Sequence, residues 1–146
     1  MTAGRISKPA RLYTPRLLGL SAQLADFPLD DSFALRASAR SRTCGSTIEL
    51  GCDIADDSSV ARIGMQVSAC AVGQSSAAIM ARSAVGRTPN ALLAMEADIA
   101  RWLETGEARP DWPEFDALDD ARAYPARHDA LLLGWKAMTI AMGRAV

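Results

Sequence analysis

Residues 47–67 read TIELGCDIADDSSVARIGMQV, and this stretch decides the fold. In its first half, Ile48, Leu50, Cys52 and Ile54 alternate with polar or small residues, the period of a strand with one buried face. Asp56, Asp57, Ser58 and Ser59 follow as a turn. The chain then resumes a strand over Val60 to Val67, with Ile63, Met65 and Val67 in phase and Val60 out of it. Upstream, residues 32–40 (SFALRASAR) alternate in the same way, placing Phe33, Leu35, Ala37 and Ala39 on one side. Three consecutive strands with short links form an antiparallel meander.

Helical periods flank the meander. Leucines 12, 17, 18, 20 and 24 fall near one face of a helix, with Pro15 confined to its first turn. After the strands, Gly73 to Val85 is small and apolar almost throughout, so this helix should be buried. Thr88-Pro89 is an N-cap with proline at the first helical position. Leu92, Met95, Ile99, Trp102 and Leu103 then line one face up to Gly106. Residues 107–124 are acidic, carry Pro110 and Pro113, and allow one short helix over 113–121. Ala126 to Met142 is the last helix, striped by Leu131, Leu132, Trp135, Met138 and Met142. One helix, three strands and then helices predict an α+β fold, with helices packed on one face of a small antiparallel sheet.

The 146 residues make a single domain, 1–146, with a tail over about 1–10. Hydrophobic residues are 49% and charged residues 23%, which argues against disorder. Lys+Arg is 16 and Asp+Glu is 17, so the chain lacks the positive field of a nonspecific nucleic-acid binder. No apolar run reaches a membrane span. Residues 1–25 carry Arg5, Lys8, Arg11 and Arg16 and no acid, but lack the apolar core of a secretory signal. A cytoplasmic location is expected. The arginine- and alanine-rich composition is of a bacterial kind.

Chemistry has few carriers. His128 is the single histidine, and there is no G-x-S-x-G elbow, P-loop or G-x-G-x-x-G. Cys44, Cys52 and Cys70 are odd in number and do not read as a disulfide framework. Cys52 is in phase with Ile48 and Ile54 and reads as a small buried residue. Cys44 lies in the turn between strands one and two, and Cys70 just past strand three. In a meander those positions share one end of the sheet. Cys70 also faces a helix start, which favours negative charge. His128-Asp129 opens the last helix, where the aspartate suits the helix dipole and the histidine reads equally as a surface residue. Two cysteines and a histidine are a soft-metal donor set, although their local spacing does not show one. A small thiol enzyme using Cys70 with His128 is a further alternative.

The order of motifs resembles the U-type scaffold proteins of iron–sulfur cluster assembly (NifU N-terminal domain, IscU and SufU). The likeness covers about residues 12–142. It rests on Leu12-Tyr13, Thr43-Cys44-Gly45, the run Ala69-Cys70-Ala71-Val72-Gly73-Gln74-Ser75-Ser76-Ala77, Gly86-Arg87-Thr88, Pro125-Ala126-Arg127 and Trp135-Lys136-Ala137. The acidic segment before Pro125 is similar to the insertion of the SufU branch. The resemblance implies a SufE/NifU-like fold and a scaffold, at most a sulfur acceptor, rather than an enzyme. It carries over Cys44 and Cys70 directly as ligands of zinc, iron or an iron–sulfur cluster; His128 is expected as a third donor, and Asp129, ahead of Ser46, water or a partner residue, as the fourth. It also implies a cysteine desulfurase and recipient apo-proteins as partners. Two positions depart from the family pattern: its third cysteine falls on Ala130, and the aspartate after Cys-Gly is Ser46. The departures keep a second expectation open, an adaptor with the fold and partner surface but no cluster.

Overall fold

A computed structural model describes residues 12–42 and 45–143. Residues 1–11, which include the expected tail, and Thr43, Cys44 and 144–146 lie outside the described residues. The elements run α1 (Pro15–Ala22), β1 (Leu35–Arg40), β2 (Thr47–Ile54), β3 (Val60–Ser68), α2 (Ala71–Ala84), α3 (Pro89–Thr105) and α4 (His128–Gly143). The sheet order is β1-β2-β3, antiparallel throughout. The expected α+β architecture is the observed one.

Local chemistry sets the helix boundaries. The Thr14 hydroxyl accepts from Leu17 N at 3.1 Å, with Pro15 at the first helical position of α1. Thr88 caps α3 through Ala91 N at 3.2 Å, and Gly106 ends it in the left-handed region at φ 77°. Helix α4 begins at His128, two residues later than the pattern suggested, because Pro125–Arg127 form a short 3-10 turn. It is buried nearly all round, from Ala130 to Met142, and packs on β1 and β2 as well as on α2 and α3. Helix α2 is joined to its neighbours by its own serines. The Ser75 hydroxyl donates to Leu17 O at 2.8 Å, and the Ser76 hydroxyl donates to Leu131 O at 2.7 Å while accepting from Trp135 Nε1. These are satisfied buried polar groups, and they fix α1 and α4 against α2.

The out-of-phase Val60 has a simple cause. The register steps from Asp53↔Arg62 to Ile54↔Val60, a bulge that skips Ala61 and returns Val60 to the buried side. Phe33 departs from the expected pattern. The strand starts at Leu35, after an Asp30–Ser32 turn, and Phe33 crosses to the face opposite Leu50 and Cys52. There it covers the cross-strand pair Gly51↔Gly64, and the Arg62 guanidinium lies 3.9 Å from its ring centre. A Cβ on Gly64 would stand 2.3 Å from the Pro28 carbonyl oxygen and 2.7 Å from Phe33 Cζ. Gly64→Ala should therefore destabilise the fold by about 1–3 kcal/mol through overpacking. Gly19→Ala, in α1 with nothing within 4 Å, should stabilise it by roughly 0.5–1 kcal/mol. Urea unfolding of the two variants checks both signs.

The acidic segment is also anchored. Its 3-10 helix, Phe115–Ala123, buries Phe115, Leu118 and Ala121. Trp112 donates from Nε1 to Ile79 O at 2.9 Å and meets Trp135 edge-on at 5.0 Å between ring centres. On its outer side, Arg16 makes a two-pronged contact with Asp116, which holds that carboxyl below its usual range. No helix among the described residues is long and apolar enough to cross a membrane.

Candidate functional site

Strand register brings three segments to one end of the sheet. Arg40 pairs with Thr47 and Thr47 with Ser68, so the β1–β2 turn and the exit of β3 lie side by side. The turn is closed by Ser41 N donating to Ser46 O at 2.8 Å, with Gly45 at φ 71°. Cys44 belongs to this turn and lies outside the described residues; its flanks Ser41, Arg42, Gly45 and Ser46 define where the turn arrives.

Cys70 is half-buried and occupies the N-cap of α2, where its side chain makes no capping hydrogen bond. The third segment is the first turn of α4, admitted by Gly73. A Cβ at Gly73 would meet Ala69 Cβ at 2.8 Å and Ala130 Cβ at 3.3 Å. Without one, α4 closes on α2, and the fully buried Ala130 sits beside the segment that carries Cys70. Asp129 turns to the other side and lines a cleft with Arg40, Ser41 and Arg42, the near flank of the Cys44 turn.

His128 takes another direction. Its Nε2 is 2.8 Å from the Arg122 carbonyl oxygen. A carbonyl only accepts, so Nε2 is the donor in this contact. Because α4 has already begun at residue 128, positions 128 and 130 point about 200° apart. Among the described residues no three His, Cys, Asp or Glu side chains come close enough together to hold a metal ion. Cys70, His128 and Asp129 thus do not form such a group by themselves, and the expected ligand set depends on Cys44.

Cys52 is separate from this end. It is fully buried in β2 between Leu35 and Ile63. Burial, helped by the charge of Asp53, pushes its thiol up to about 11. Cys52→Ala should leave metal content unchanged and lower stability by about 1–2 kcal/mol at neutral pH. An unfolded cysteine loses its proton near 8.5. From about pH 8.5 to 11 the unfolded chain has lost that proton while the folded chain keeps it, so the contribution of Cys52 falls as pH rises. The stability gap between wild type and Cys52→Ala should narrow between pH 8 and 10. Paired urea titrations at the two pH values check this.

The sequence pattern did not bring Arg40, Arg42 and Lys136 together, although they gather at this end. The available signal was the spacing Asp129, Leu133, Lys136 along one face of α4.

No protein-family model matches the chain, and no curated protein matches it. Solved structures do. The N-terminal part of a nitrogen-fixing NifU-like protein from Brucella abortus superposes with a TM-score of 0.83 at 26% identity, covering 94% of this chain and 96% of that one. A protein from Fervidobacterium islandicum AW-1, assigned to the SUF system as an iron–sulfur cluster assembly scaffold, gives 0.80 at 20% identity, covering 90% and 96%. Over nearly its whole length, with Cys70 at the β3–α2 junction, the chain is thus similar in fold to the U-type scaffold proteins of the NifU N-terminal and SufU-like kind.

Proposed function

We propose that this chain serves iron–sulfur cluster assembly as a U-type scaffold or zinc-dependent sulfur-relay protein. In this reading Cys44 and Cys70 hold the metal; His128, now on the Arg122 carbonyl, and Asp129, now lining the Arg40–Arg42 cleft, would have to turn toward Cys70 to serve as further donors. A cysteine desulfurase supplies sulfur, and recipient apo-proteins take the product. The observation that carries the reading is Cys70, with its uncapped side chain at the sheet end where the β1–β2 turn arrives, within a fold shared with a NifU-like domain.

The donor chemistry favours zinc over a bridged cluster. Zinc accepts thiolate, imidazole and carboxylate, and a bound zinc ion would supply a Lewis-acidic centre that keeps its thiol ligands ionised. Clusters are usually held by thiolates, and position 130 offers a methyl group. Weak cluster assembly by the isolated protein is therefore expected. Anaerobic purification with analysis for zinc, iron and acid-labile sulfide tests the reading. The expected result is about one metal ion per chain, with little sulfide.

A second reading is an adaptor that keeps the fold and partner surface without metal. It is favoured by Ala130 and by the His128 contact with the Arg122 carbonyl. A folded, metal-free protein that still binds the desulfurase would select it.

A further inference from the structure

Beside the β1–β2 turn lies an open cleft of about 570 Å3, walled by Arg40 and Arg42 on one side and by Asp129, Leu133 and Lys136 of α4 on the other. The three cations are exposed. Elsewhere, Arg16, Arg62, Arg82, Arg101 and Arg109 are ion-paired with carboxylates. Arg36, Arg87 and Arg122 donate to backbone carbonyls. Among the described residues, Arg40, Arg42 and Lys136 have no carboxylate partner, nor has Arg127, which stands alone outside the cleft. Three like charges facing one concavity repel each other, and an anion between them relieves that repulsion.

We infer that this cleft binds a small oxyanion carrying at least two negative charges, held by Arg40, Arg42 and Lys136. The charge balance sets the valence: three cations against the single carboxylate of Asp129 leave a surplus of two. The size sets the scale, because the cleft falls within the roughly 300–1,000 Å3 of small-molecule sites. Guanidinium groups match carboxylate and phosphate oxygens equally well. Leu133 adds an apolar wall for the carbon skeleton of an organic anion. The chain has a formal net charge of -1, which disfavours an extended nucleic-acid track over a local pocket.

Isothermal titration of the full chain with citrate and, separately, with pyrophosphate tests this at low ionic strength. Saturable binding of one anion per chain is expected, weakening as salt is raised because the charges are exposed. The Arg40→Gln/Arg42→Gln double variant should bind about tenfold or more weakly. Lys136→Gln probes the same cleft from the helix side and should also weaken binding, whether or not the double variant folds. Arg101→Gln, which removes an exposed charge on α3, should stay within about twofold of wild type. Tighter citrate binding marks a carboxylate ligand, and tighter pyrophosphate binding a phosphate ligand; either supports the proposal. Absence of saturable binding to both would overturn it, as would equal binding by the double variant or equal loss in Arg101→Gln. Binding of only a polyglutamate peptide would overturn it in favour of a protein partner. Both anions chelate zinc and iron, so metal content is measured before and after each titration; anion binding with metal content unchanged is read separately from the cluster-assembly reading.

Discussion

Cys70→Ser should abolish metal retention while leaving the fold intact or slightly firmer. Serine keeps the shape of cysteine but is a poor ligand for zinc and iron. Loss of a direct thiolate should exceed the roughly 10–100-fold effects of changes behind the ligands. Metal content after desalting should therefore fall to background. The fold should behave oppositely. Cys70 makes no capping hydrogen bond at the start of α2, whereas serine is among the preferred N-cap residues. The metal-free variant should gain up to about 0.5–1 kcal/mol over metal-free wild type. Elemental analysis and thermal unfolding of the same samples separate the two effects. Metal retained at the wild-type level would remove Cys70 from the site.

Ala130→Cys should raise cluster retention. Position 130 is fully buried beside Ala69 and Gly73, next to the segment that carries Cys70. It is also where the family resemblance puts the third cysteine. A third thiolate there would complete a sulfur donor set of the kind clusters use. Reconstitution with iron, cysteine and a desulfurase under anaerobic conditions should load below about a tenth of wild-type chains and most of the variant chains. Visible charge-transfer absorbance and sulfide analysis read this out. The site is tight, so circular dichroism must show the variant folded. A folded variant that loads no better than wild type would mean that the first turn of α4 does not serve the cluster.

What could be read in advance followed the strength of the local signals. Strand β2 and helix α3 were legible to the residue or nearly so, because alternation marked the first and a threonine cap, a proline and a left-handed glycine marked the second. Phe33 was not, since its apolar phase matched β1 although it lies before the strand and covers the opposite face. The paired glycines 51 and 64 are the trace it leaves in sequence. In the acidic segment, charge hid the anchors: Trp112 and Phe115 pack against Trp135 and Trp102 beneath a polar rim.

At the site, sheet topology alone put the Cys44 turn and Cys70 at one end, and the register bears out that placement for the flanks of the turn. The direction of His128 was not legible. It turns on whether residue 128 is still loop or already helix, a shift of one or two residues that periodicity does not resolve. The contact with the Arg122 carbonyl depends on the 3-10 turns that precede α4, which acidic composition and two prolines leave undetermined.

In the proposed site Cys44 and Cys70 hold one metal together. The most direct measurement is the zinc, iron and sulfide content of anaerobically purified wild type beside Cys44→Ser, Cys70→Ser and Cys52→Ala. About one metal ion per chain is expected in wild type and Cys52→Ala, and background metal in each of the other two. A folded wild type without metal, or a metal content indifferent to both Cys44 and Cys70, would contradict it.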